Sequence, residues 1–359
     1  MNWMKRAIPA RKAKAVRRTA MRSAVAGVVA SAAVTALGGC TLTPDRESEA
    51  RELTEAVETM PGVYDVSNIY SNDFTAGVLV SLRVKMHKDA SPEQTEAVAQ
   101  RIAHSYRTDF PGHNRDMRLQ VAGGFFEHHT GTRNTDNLSH ESISTDLRTL
   151  WQIGAAMPTP RLVSWKRSHS QAELDVGDAT DESVFQAVRS VLGDRPVRVL
   201  ATTGGTPPLQ PVELPSNDSF PDLRARNLPT RWQIDLPLSP ADEARARESV
   251  ERSQLKVGKV ALSGGHIDEM LVYTWSPPQA HDDLSVLIEN TAATAAHPLL
   301  LRWEYPTRPR PDLEFKGSIH VAGCDYVDTF GEENPQDYYT PEAIALQQQL
   351  RSEYDTCPK

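Results

Sequence analysis

The chain has 359 residues, with 39 Lys or Arg against 47 Asp or Glu, a formal net charge of −8 and three cysteines. Eight of the bases fall within residues 1–22 and no acid precedes Asp45, so the stretch from Cys40 onward carries 31 bases against 47 acids, a net charge of about −16. So acidic a body is repelled by nucleic acid and by anionic lipid, and no basic stripe with interleaved aromatics reverses that, which excludes nucleic acid as a partner.

The first forty residues form an export signal. A basic segment to Arg22 precedes an uncharged run of Ala, Val, Gly and small polar residues from Ser23 to Gly39, and Leu37-Gly38-Gly39-Cys40 closes it. A positive region, a short apolar region and small residues before a cleavage point are the parts of a secretory signal. The run is 17 residues long and mostly Ala and Gly, short of the ~20 apolar residues a spanning helix needs. Leu37-Gly38-Gly39-Cys40 resembles the lipobox of bacterial lipoproteins. The resemblance implies that residues 1–39 are a signal peptide cleaved between Gly39 and Cys40. It also implies that Cys40 carries a lipid, with palmitate as an acyl component, and that the mature chain sits on the extracytoplasmic face of the cell membrane. Met1, Met4 and Met21 all remain possible starts, and Arg17-Arg18 leaves twin-arginine export open beside the general route.

Beyond the signal the hydrophobic periodicity predicts an α+β fold of three repeated αββαβ modules, with antiparallel sheets covered by helices, and a C-terminal helix. In the first module, residues 40–124, Leu53, Ala56, Val57 and Met60 stripe a helix that Pro61-Gly62 ends. Val63–Tyr70 reads as a strand. Val78, Val80, Leu82, Val84 and Met86 then alternate with Ser81, Arg83, Lys85 and His87 as a half-buried strand. Ser91-Pro92-Glu93-Gln94 is a capping box for a helix burying Val98, Ile102 and Tyr106, and Met117–Val121 is the last strand, stopped by Gly123-Gly124. Met60-Pro61-Gly62-Val63-Tyr64-Asp65-Val66 in this order of elements resembles the BON module of bacterial envelope proteins. That resemblance, confined to residues 47–124, implies membrane or partner binding rather than catalysis.

Residues 125–141 read as a polar loop. The second module, residues 142–204, has a helix striped by Ile143, Leu147, Leu150 and Trp151, then strands at Arg161–Lys166 and Ala172–Val176. A helix capped by Thr180 follows, and Val197–Ala201 is its closing strand. Residues 205–238 form a Pro-rich linker in which Trp232–Leu236 alternates as an edge strand. The third module, residues 239–359, opens on the cap Ser239-Pro240-Ala241-Asp242. It continues with strands at Val257–Leu262 and Met270–Trp275, a helix through Leu284 and Ile288, and a strand at Leu299–Glu304. Phe315–Val321 adds a strand, and Thr340 caps a final helix with Ala343, Leu346, Leu350 and Tyr354 inward.

With Cys40 taken by the lipid, Cys324 and Cys357 remain as an even pair in an exported protein and are expected to form a disulfide. Reactive chemistry is sparse. Pro111–Glu141 collects His113, Asp116, Glu127, His128, His129, Asp136, His140 and Glu141, and His113, Glu127, His128 and His140 are the residues a Zn²⁺ hydrolase would use. Their spacing matches no zinc pattern, and His128 and His129 point opposite ways in an extended segment, so a solvated loop without metal is expected. Ser263-Gly264-Gly265-His266 reads as strand, tight turn, strand rather than a nucleophile elbow. No catalytic residue and no cofactor are expected. The sequence points to a lipid-anchored, non-catalytic binding or scaffolding module for an envelope protein or polymer. The alternatives are a carrier of a small hydrophobic ligand or a metal-dependent hydrolase.

Overall fold

A computed structural model describes residues 44–73, 77–131, 138–159, 161–168, 171–179, 182–204, 228–274, 276–305, 313–324 and 334–357. Gly39, Cys40, Asp136, Thr180 and most of the Pro-rich linker lie outside them. Through the described residues the chain alternates helix and paired strands: α1 (Glu47–Glu58), β1 (Val63–Asp73), β2 (Gly77–Met86), α2 (Pro92–Thr108), β3 (Asn114–Val121) and β4 (Gly124–Thr130). Next come α3 (His140–Ala156), β5 (Val163–Ser168), β6 (Gln171–Asp178), α4 (Glu182–Leu192), β7 (Val197–Thr203) and β8 (Thr230–Asp235). The order ends with α5 (Pro240–Arg252), β9 (Lys256–Ser263), β10 (His266–Tyr273), α6 (Ala280–Glu289), β11 (Leu299–Glu304), β12 (Lys316–Val321) and α7 (Pro341–Tyr354). The fold is mixed α/β, with seven α-helices and one twelve-stranded sheet among the described residues.

The helices begin where local chemistry starts them. Ser91 Oγ accepts the Gln94 N–H while the Gln94 side chain accepts the Ser91 N–H, so both halves of the capping box form. Ser239 Oγ accepts the Asp242 N–H at the start of α5 and Thr340 Oγ1 accepts the Ala343 N–H at the start of α7, each with proline following. The glycines of the 263–266 turn take φ of +54° and +88°, which L-residues rarely adopt, and Ser263 and His266 close the β9–β10 hairpin across them.

Pairing follows chain order without a crossing. The pairs β1–β2, β3–β4, β5–β6, β7–β8, β9–β10 and β11–β12 are antiparallel, and the strands separated by α2, α3, α4, α5 or α6 pair parallel. Parallel crossovers are right-handed, so five of them advancing in one direction set their helices on the same face. Burial agrees. Arg115, Met117, Leu119 and Val121 of β3 are buried under the helices, while Asp116, Arg118 and Gln120 alternate with them on the far side. Tyr106 of α2 accepts the Leu82 N–H (3.0 Å) and donates to the Asp116 carbonyl (2.6 Å), bridging β2 and β3. A single apolar core runs from Leu53 of α1 to Leu350 of α7.

Three sequence expectations need correction. The modules do not form separate antiparallel sheets: β4 joins β5, and β8 joins β9, in one sheet. The segment expected as a polar loop from residue 125 is strand β4, with Phe126, His128 and Thr130 buried and Phe125, Glu127 and His129 on the other face. Its period of two was hidden because the inward side chain at 128 is a histidine. Trp232–Leu236 was expected at an edge. It overlaps β8, a central strand, with Trp232 and Ile234 buried between β7 and β9.

The tail is fastened at the β12 edge. The Cys324 and Cys357 sulfurs stand at disulfide distance, 2.14 Å. Ala322 N donates to Tyr354 O and Thr356 N to Gly323 O beside them.

Candidate functional site

The twelve strands stand about 4.8 Å apart, so the sheet extends roughly 50 Å across its strands. Among the described residues no helix covers the face opposite α1–α7. Register decides what that face displays. Arg83, Arg118, Glu127, Lys166, Glu173, Arg198 and Asp235 are successive partners from β2 to β8, a single row across seven strands. Arg118 Nε meets Glu127 Oε1 at 2.9 Å, and the Arg198 fork meets both Asp235 oxygens at 2.7 and 2.9 Å. Farther along, Lys259 Nζ lies 2.6 Å from Glu269, and Arg302 Nε lies 3.4 Å from the other Glu269 oxygen. Such half-exposed pairs contribute at most about 1 kcal/mol each. Their effect is on character: the face is polar, wet and locally charge-balanced.

The row breaks its alternation at one end. Arg83 and Arg118 lie directly opposite one another, Lys85 follows on β2, and Phe125 of β4 sits under the Arg118 guanidinium at 4.4 Å. With Asp65, Ser67 and Gln120 these residues line a shallow depression of about 260 Å³. Next to it, His129 Nδ1–H donates to Asp116 Oδ1 at 2.8 Å. Asp116, then Glu127, hold the His129 imidazolium, raising its pKa to about 9.

The four residues considered for a metal do not converge. His113 is buried on the helix side, 3.4 Å from the Tyr70 hydroxyl. Glu127 faces the open side beside Arg118. His128 is buried on the helix side and stacks on Phe126, while His140 is exposed at the start of α3. Among the described residues no group of three or more His, Cys, Asp or Glu is placed to hold a metal ion.

What β4 does build is an ionic knot beneath α3. His128 Nε2–H donates to Asp146 Oδ2 at 3.2 Å, and Arg167 of β5 forks onto both Asp146 oxygens. Arg195 approaches Oδ1 at 3.7 Å. Burial pushes the His128 pKa below its ordinary value despite Asp146, so the imidazole is neutral at pH 7. The dyad is sealed: both side chains are 1% exposed, and the carboxylate is already committed to arginine. That is the geometry of a structural tie, although Asp146, Arg167 and Arg195 also line a shallow depression of about 280 Å³ beside the start of α3. A second buried carboxylate, Glu243 of α5, is gripped by Arg189 of α4 and by Arg247, whose guanidinium also covers Phe185 and Trp232. Neither tie was visible beforehand, because the partners lie on different elements and only the register brings them together.

No helix among the described residues is long and apolar enough to cross a membrane. Comparison with known proteins finds no matching family model, no matching curated protein and no matching solved structure.

Proposed function

We propose that this chain is a lipid-anchored cell-envelope protein that acts without catalysis, as a binding or scaffolding module. Cys40 holds it at the extracytoplasmic face of the membrane, and the helix-free face of the sheet receives another envelope protein or polymer. Three repeats of one αββαβ plan, starting near residues 47, 142 and 240, merge edge to edge to give that face its length. The element order from α1, α3 and α5 has the helix–strand–strand–helix–strand succession of that plan with one further strand, β4, β8 or β12, after each.

The observation that carries the proposal is the uncovered face itself. All-parallel sheets are almost always covered on both faces, while antiparallel sheets commonly leave one to water. This sheet mixes five parallel joins with six antiparallel ones, and among the described residues one face lies open along its whole width, a surface wide enough to receive a macromolecular partner. The Arg83–Arg118 juxtaposition supports contact there, since like charges directly opposite destabilise a sheet. In a body of about −16 net charge, this cluster favours acidic groups on the partner.

The test is photo-crosslinking in intact cells. Crosslinkers at Gln120, Arg231 and Arg302, all exposed on the open face, are compared with Glu55, Arg101 and Gln152, exposed on helices. The open-face set is expected to capture a discrete partner, and Arg83→Glu with Arg118→Glu to abolish the capture. Crosslinks from the helix positions alone, or from neither set, would overturn the proposal. For the anchor, Cys40→Ala is expected to leave the chain full length and without lipid; cleavage and lipid on that variant would contradict the lipobox.

A further inference from the structure

The end of α3 leaves an open apolar groove over the β3–β4 turn and the start of β5. Its volume is about 570 Å³, within the range of small-molecule sites. Val121, Leu150, Trp151, Leu162 and Val163 line it, and Leu162 is 67% exposed at its rim. The wall contributed by α3 is lowered by Gly154, where a Cβ would meet nothing within 4 Å.

Polar atoms define what fits. Trp151 Nε1–H is buried and has no acceptor among the described residues, and the same holds for Arg161 Nε–H; both residues line the groove. Buried donors in native proteins are nearly always paired, so two orphans at one cavity call for an acceptor from outside. The other Arg161 N–H groups reach only neutral oxygens, the Asp178 carbonyl and, at 3.2 Å, the Thr159 hydroxyl. Among the described residues no carboxylate pairs with this guanidinium. Among the described residues its charge is thus uncompensated, a setting that an anion would complete, and the rest of the groove offers apolar surface.

We infer that this groove binds a single-chain amphiphile with a carboxylate head. The alkyl chain lies against Leu150, Leu162 and Val163, and the carboxylate accepts from Arg161 and Trp151. A charge-assisted contact of this kind is stronger than a neutral one, which sets carboxylates apart from alcohols of equal length. The groove lies on the helix side, away from the open sheet face, so it stands or falls independently of the proposed partner surface.

The experiment measures equilibrium binding of labelled decanoate to the full-length chain in lipid nanodiscs, against empty discs and with decanol as the neutral probe. Saturable binding of one decanoate per chain is expected, tighter than decanol by about tenfold or more. Arg161→Gln is expected to bring decanoate down to the level of decanol and leave decanol unchanged. Gly154→Leu fills the groove while replacing glycine in a helix, so it is expected to weaken both probes at least about tenfold without lowering the melting temperature. Binding no greater than to empty discs would overturn the inference, as would decanoate binding unmoved by Gly154→Leu. Equal affinity for decanol and decanoate in the parent chain would remove the carboxylate head.

Discussion

Asp146→Ala removes the anion at the centre of the knot under α3, and its cost follows from the geometry. The substitution leaves Arg167 and Arg195 facing each other without a counter-charge and the buried His128 Nε2–H without an acceptor. Breaking a buried ion pair from one side costs about 3–5 kcal/mol. The Arg167 and Arg195 side chains retain 17% and 35% exposure and can turn toward water, which places the cost near the lower end, about 3 kcal/mol. In a chain of this size roughly 2 °C accompanies each kcal/mol, so the melting temperature is expected to fall by about 6 °C. Urea titration at pH 7 measures the cost. Asp146→Leu combined with Arg167→Met should regain more than half of it, because the stranded charge leaves with the acid. A second reading comes from acid. Burial alone would push the Asp146 carboxyl up, but hydrogen bonds from Arg167 and His128 outweigh it and hold the group below the usual carboxylate range. A pKa depressed in the folded state brings stability that is present above the unfolded value, about 4, and lost as pH falls through the folded one. The parent's loss of stability below about pH 4 should therefore be steeper than that of Asp146→Ala, in which only the other depressed carboxylates contribute. A loss under about 1 kcal/mol, or an Arg167→Met cost that simply adds, would show that apolar packing alone holds α3 in place.

Two further outcomes are expected. Cys324→Ser opens a loop spanning 33 residues and should lower stability by about 3–4 kcal/mol under oxidising conditions; an unchanged urea midpoint, with both thiols of the parent open to alkylation, would rule out the bridge. His129 has its pKa raised to about 9 by Asp116 and Glu127, so the stability it brings is complete below about pH 6.5 and lost as pH rises through 9. The side chain is 38% exposed, which keeps the effect under about 1 kcal/mol, and His129→Gln should flatten the stability curve between those values.

Elements governed by local rules were legible in the sequence. The Ser91, Ser239 and Thr340 caps, the alternation of β2 and the 263–266 turn depend on neighbours a few residues away, and all formed as expected. Sheet assembly was not legible. Whether β4 pairs with β5 depends on how α3 crosses between them, and no side-chain pattern in either strand records its neighbour. The strand from Gly124 escaped for a related reason. A polar inward residue is admissible at 128 because Asp146, eighteen positions on, accepts a hydrogen bond from its ring N–H. Arg115 likewise points inward on β3, where its guanidinium donates to the carbonyls of Tyr106 and Gly131. Outward residues such as Arg83 and Arg118 were visible as polar positions. Their opposition across β2 and β3 required the register.

Hydroxyl-radical footprinting most directly tests whether the open sheet face meets a partner, comparing the protein in its own envelope with the purified chain. Ile69, Phe125, Tyr273 and Leu300 sample that face from β1 to β11, while Val286 and Tyr338 are exposed elsewhere. Protection of the first set in the envelope, with the second unchanged, is the expected result. Equal labelling of the first set in both states would contradict it, leaving that face solvated in the cell.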